Sequence, residues 1–239
     1  METGSLSQWT AKETHGGSYD SGRCVRPPNG VSTRHAHSGR YSMEMTIDTR
    51  HRVESGCRQF RHEESIAGEA YYYGAWYYLP RYYAAIDYWN VLQFKSETPT
   101  LNDPFWVIDL MPRARPRTDA RRSRRRRQLR LLLRWKGPVP GPFATDARAG
   151  TKYYDQRVRN VPIGRWFHVE VYLQQSSEFA GRIAVWQDGR KLWDLRGVRT
   201  KYADGDERWS VNNYSDGVVP SPTTIYVDDA TVSTRRLNP

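Results

Sequence analysis

The chain is poor in the features from which most function classes are read. It holds two cysteines in 239 residues, Cys24 and Cys57. Their spacing is not the C-x-x-C of a metal or redox site. They can close one disulfide, as in an exported protein, or stay as two thiols. No apolar run approaches a membrane span, so no membrane partner is expected. The opening "METGSLSQW" is polar from its second residue and carries no signal peptide. That start fits a cytoplasmic protein or one whose leader is missing from this chain. Sustained i, i+3, i+4, i+7 apolar spacing is scarce, so helices are not expected. There is no nucleophile triad, no phosphate loop and no E-x-D-x-x-E set of glycosidase carboxylates.

Rings and positive charge are what the chain has. Hydrophobic residues make up only 38%, yet 16 Tyr and 9 Trp raise the aromatic share to 13%. Rings must therefore supply much of the core and leave some for surfaces. The net charge of +11 is concentrated rather than spread. "RARPRTDARRSRRRR", from Arg113 to Arg127, carries nine arginines against one aspartate, about +8 of that total. With Pro112 and Pro116 and no apolar period, the segment at about 112–128 reads as an exposed loop. Such a loop can hold a polyanion at low salt or simply be solvated. Because the excess sits in one segment, nucleic acid is not the expected partner; an acidic polysaccharide is another polyanion that such a loop can hold.

Strand signals recur between short turns, as in a sandwich. "GRYSMEMTID" alternates Tyr41, Met43, Met45 and Ile47 against polar partners. "RWFHVEVYLQQ" sets Phe167, Val169, Val171 and Leu173 against Trp166, His168, Glu170, Tyr172 and Gln174. "GRIAVWQDGRKLWDL" is a hairpin turning at Asp188-Gly189. With no linker and no repeat, residues 1–239 are expected to form one all-β domain of about a dozen strands in two antiparallel sheets.

In "YWNVLQFKSE", strict alternation places Trp89, Val91, Gln93 and Lys95 on one face. Aromatic, amide and ammonium in succession suit neither a dry core nor plain solvent; they suit a wet groove. If the polar face of the His168 strand joins the same sheet, rings and amides converge in one trough. Flat rings stack on sugar faces while amides and charges bond hydroxyls and carboxylates. Trp89, Trp106, His168 and Tyr172 are the expected wall of that trough. Metal signals are weak. His35 and His37 point to one side of a strand without a third ligand. Asp228 and Asp229 offer a structural Ca²⁺ site or a plain turn.

Several segments, in order, resemble one family: "ETGSLSQW", "HSGRYSMEM", "CRQFRHEES", "YYGAWYYLP", "WNVLQFKSE", "GRWFHVEVYLQ", "GRIAVWQDGRKL" and "TIYVDDATVS". Together they resemble the polysaccharide lyases of the heparin lyase I and glucuronan lyase type. The resemblance spans nearly the whole chain, apart from the arginine loop and Pro138 to Gly150. It implies a concanavalin-like, laminin-G-like β-jelly-roll and β-elimination on a uronic-acid polysaccharide, by a secreted monomer needing no organic cofactor. That chemistry needs a neutralised carboxylate, a base for the C5 proton and an acid for the leaving oxygen. By resemblance, Gln93 and Arg61 neutralise the carboxylate, and Tyr214 does acid/base work beside nearby cations. Lys95, where related lyases often have His, holds the substrate or assists proton transfer. Arg58, His62 and Asn213 bind substrate. The late strand reads "NNYSDG" rather than the Lys-x-Gly-x-Tyr common in these lyases. A jelly roll that only binds carbohydrate is the alternative.

Overall fold

The computed structural model describes residues 1–9, 18–20, 30–50, 55–63, 67–99, 102–113, 128–136 and 151–237. These contain sixteen strands and no helix. In chain order the first eight are β1 (Ser18–Asp20), β2 (Gly30–Ser32), β3 (Ser42–Ile47), β4 (Ser55–Glu63), β5 (Ala70–Tyr78), β6 (Ala84–Ala85), β7 (Asn90–Glu97) and β8 (Asn102–Pro112). The rest are β9 (Leu129–Trp135), β10 (Lys152–Tyr154), β11 (Trp166–Gln174), β12 (Gly181–Gln187), β13 (Arg190–Val198), β14 (Asp206–Ser215), β15 (Val218–Val219) and β16 (Thr223–Ser233). Two seven-stranded antiparallel sheets hold most of them, in the orders β1-β4-β14-β7-β8-β9-β10 and β13-β12-β11-β5-β16-β3-β2.

The inner faces make one core. Met43, Met45 and Ile47 of β3 and Phe167, Val169, Val171 and Leu173 of β11 are fully buried, as their alternation predicts. Tyr73 of β5 crosses to the first sheet, 4.9 Å from Phe94 and 5.5 Å from Trp209 between ring centroids. The Tyr77 hydroxyl donates to the Val91 carbonyl at 3.1 Å, a second strut between the sheets. Burial pushes that phenol far above its ordinary pKa. The β12–β13 hairpin turns as its sequence requires, with Asp188 at φ 47° and Gly189 at 75°.

Alternation fails where it matters most for function. Along β7 the register shifts between Asn90 and Leu92, so Val91 and Leu92 together face Ile108 of β8. This is a β-bulge, and both residues join the core. The extra residue turns Trp89 inward and Asn90 outward. On β8 a second shift does the same to Phe105 and Trp106, which both belong to the core while Pro104 faces out. Cys57 is disulfide-bonded; Cys24 lies outside the described residues. So do residues 114–127 of the arginine run, whose ends are joined by the Arg113 N–H donating to the Gln128 carbonyl at 2.8 Å. Pro138 to Gly150 is outside them as well.

Candidate active site

The outer face of the first sheet carries a cavity of about 290 Å³ lined by Arg58, Tyr88, Asn90, Gln93, Lys95, Pro104, Val107, Arg134, Lys136 and Tyr214. Five neighbouring strands or their flanks supply these groups. Register explains the gathering: Gln93 lies opposite Ser210 on one side and Val107 on the other, and Val107 lies opposite Arg134. Directly opposed residues share a face. Four of the lining residues are cations and none is an acid, so the cavity attracts a polyanion.

Gln93 is 2% exposed. Its Oε1 accepts from Asn90 Nδ2 at 2.8 Å, and Asn90 Oδ1 accepts from Asn212 Nδ2 at 2.8 Å. Its Nε2 has no hydrogen-bond partner. A buried amide with a spare donor at a cavity wall is costly unless a ligand takes the bond. The Arg58 guanidinium sits over the Tyr214 ring, 4.5 Å from its centroid, and Tyr88 packs against the same ring at 5.6 Å. Lys95 Nζ lies 5.9 Å from the Phe60 ring.

Arg134 is fixed from below. Its Nε and Nη2 reach the two Asp109 carboxylate oxygens at 2.8 and 3.0 Å. Burial pushes the Asp109 carboxyl up, and the Arg134 charge opposes that shift. Tyr88 and Arg134 also line an adjoining cavity of about 670 Å³ with Arg113, Arg130 and Tyr153. The face therefore continues toward the base of the arginine loop, with Tyr153 a 65% exposed ring at its edge.

Of the residues expected at a site, Arg58, Gln93, Lys95 and Tyr214 meet here. In the register of the same sheet, His62 lies opposite Arg208, which lies opposite Lys95. Six others are elsewhere. Trp89 is fully buried in the core, 5.8 Å from Tyr83, because the bulge turns it inward. Trp106 is in the core too, its indole donating to the Arg199 carbonyl. Asn213 is buried between the sheets: its Oδ1 accepts from Trp89 Nε1 at 2.8 Å, and its Nδ2 donates to the Met45 and Thr223 carbonyls at 2.9 Å. Arg61 lies opposite the core residue Trp209 and lines a separate cavity of about 250 Å³ with Trp9 and Thr231.

His168 and Tyr172 belong to the second sheet, so the trough expected from β7 and β11 together does not form. Burial beside Trp76 pushes His168 down to about 4, although Asp188 opposes the shift. Tyr172 meets Tyr72 edge to face, with Arg182 over its ring. Asp228 and Asp229 fasten the loop before β3. Asp228 accepts the His37 N–H at 2.9 Å, and Asp229 takes His37 Nδ1 and Ser38 Oγ at 2.7 Å each. No cluster of three metal-ligating side chains occurs among the described residues. His35 and His37 instead stack on Tyr78 and Trp76.

Asn90, Asn212 and Arg134 escape the sequence reading. The two arginines of "LRLLLRW" sit four apart on one face of β9, a visible signal for Arg134. Nothing in the sequence marks the bulge that turns Asn90 toward the cavity.

The fold has known counterparts. An endo-β-1,4-glucuronan lyase from the fungus Trichoderma reesei superposes with a TM-score of 0.65 at 17% identity, covering 97% of this chain and 93% of that one. The alginate lyase Aly36B, solved with an alginate trisaccharide, gives 0.53 at 15% identity over 82% and 84%. An alginate lyase from Aplysia kurodai gives 0.54 at 11% identity over 86% and 87%. These likenesses show the fold, a β-jelly-roll sandwich of two sheets. No curated protein sequence matches the chain. The family model described as "Polysaccharide lyase" matches residues 1–230. The chain belongs to the polysaccharide lyase family.

Proposed function

We propose that this lyase cleaves a uronic-acid polysaccharide by β-elimination in the cavity built on Gln93 and Tyr214. One observation carries the reading: a buried amide donor without a partner shares a cavity with a phenol and four cations, and no acid lines it. A uronate seated there places its carboxylate against Gln93 Nε2, within the field of Arg58 and Lys95. These donors hold the charge that grows on the carboxylate when the C5 proton leaves.

Tyr214 takes that proton as base. The C4–O4 bond then breaks, C4 and C5 form a double bond, and the leaving oxygen recovers a proton from Tyr214. The Arg58 guanidinium over the ring steadies the phenolate that Tyr214 carries before the first transfer and again after the second. Lys95 orients the anionic chain. The scheme uses no organic cofactor, and Asp228 and Asp229 are left to the loop they fasten. The disulfide at Cys57 fits an enzyme acting outside the cell, where such polymers lie.

Glucuronan is the first polymer to test, since a glucuronan lyase shares the fold, followed by alginate and heparin. Incubation with the right polymer raises the near-ultraviolet absorbance of unsaturated uronate. Gln93→Ala and Tyr214→Phe each reduce the rate about 10²-fold or more. Wild-type activity in both variants overturns the assignment.

A further inference from the structure

The amide of Gln93 is useful to a carboxylate in one orientation only. With nitrogen toward the cavity it donates; with oxygen there it repels. Gln93 cannot choose alone, because its other end is held by Asn90, and Asn90 is held by Asn212. The three amides form a relay in which each donates from nitrogen to the oxygen of the next. Asn90 is 3% exposed and Asn212 fully buried, so water does not compete for these bonds. Asn212 is absent from the cavity lining, whereas Asn90 and Gln93 are part of it. The relay has two directions, and reversing it turns all three amides together. A bound carboxylate favours the observed one, since the reversed relay would set Gln93 Oε1 against it.

We propose that Asn90 and Asn212 are positioning residues that fix the direction of the Gln93 amide. The preference for a charged uronate over its methyl ester therefore depends on the residue at position 212, outside the cavity. The inference rests on the assignment of Gln93 to the substrate carboxylate.

Asn212→Asp is the direct test. Aspartate keeps the shape but only accepts, so Asn90 must turn its nitrogen toward position 212 and its oxygen toward Gln93. Gln93 then donates to Asn90 and presents its carbonyl to the cavity. Asn90→Asp forces the same reversal from the middle, since its carboxylate accepts from both neighbours. Asn212→Ala frees the relay without reversing it.

Each variant is assayed on a polyuronate and on the same polymer methyl-esterified, with thermal unfolding run alongside. The expected result for Asn212→Asp is a fall of about 10²-fold in kcat/KM on the acid polymer, comparable to loss of an oxyanion donor. The ester-to-acid rate ratio should rise at least tenfold, a change that general misfolding does not produce. Asn212→Ala should lose less and keep the wild-type ratio. In a Gln93→Ala background, Asn212→Asp should cost nothing further, because it acts through Gln93.

Should Asn212→Asp fail to fold, the ratio in Asn90→Asp decides. An unchanged ratio in a folded aspartate variant overturns the relay. If Gln93→Ala itself has wild-type activity, the assignment of Gln93 fails, and the relay with it. If Gln93→Ala is crippled while the aspartate variants match wild type, the relay alone fails.

Discussion

Replacing Asn213 by alanine separates a substrate ligand from a structural strut. The side chain is fully buried and makes three hydrogen bonds, to Trp89 Nε1, the Met45 carbonyl and the Thr223 carbonyl. Two of those partners belong to the opposite sheet, so the amide ties the sheets together. Asn213→Ala leaves one indole N–H and two carbonyls without this partner. A buried polar group deprived of its partner costs about 1–3 kcal/mol. A water in the vacated space would recover part of that loss. The expected net destabilisation is about 3–4 kcal/mol, or roughly 10 °C in Tm for a chain of this length. Urea and thermal unfolding measure it. Well below the new Tm, KM for the polymer should match wild type. A variant within about 1 kcal/mol of wild type but with a sharply raised KM would refute the reasoning and put Asn213 on the substrate.

Other perturbations test other joints. Asp109→Asn removes the charge that holds Arg134, and losing one partner of a buried pair should cost about 3 kcal/mol in denaturant unfolding. Arg58→Ala should lower kcat/KM about tenfold or more and weaken the dependence of KM on salt, measured between low and physiological ionic strength. His168 is held neutral by burial, down to about 4 from an ordinary 6.5. Below pH 6.5 the unfolded chain therefore binds a proton that the folded chain refuses, and stability falls until about pH 4. Tm scans across that window should show the fall, of about 2–3 kcal/mol, and His168→Gln should flatten it.

Much of the fold is legible in the sequence because alternation is a direct imprint of burial. Met43, Met45 and Ile47, or Phe167 through Leu173, could only face a core, and they do. Asp188-Gly189 named its own turn. Alternation misleads at Trp89 and Trp106, where one extra residue in a strand changes which side chains share a face. Bulges leave no compositional trace here, so a ring assigned to the groove lies in the core.

The second failure has another cause. Period-2 patterning says that β11 has a polar aromatic face, but not to which sheet the strand belongs. Pairing with β5 and β12 sends His168 and Tyr172 to the second sheet. Arg58, Gln93, Lys95 and Tyr214 come from strands whose pairing was equally invisible, yet they meet in one cavity. Alternation put Gln93 and Lys95 on a groove face; the resemblance to known lyases, rather than periodicity, singled out Arg58 and Tyr214. Arg61 came from the same motif as Arg58, three residues on, and odd spacing puts it on the other face.

The most direct measurement is a crystal structure of Tyr214→Phe soaked with a uronate oligosaccharide. One carboxylate should lie within hydrogen-bond distance of Gln93 Nε2, with C5 of that sugar turned toward the ring at position 214. A sugar found instead on the His168–Tyr172 face, or a carboxylate directed away from Gln93, would contradict the account.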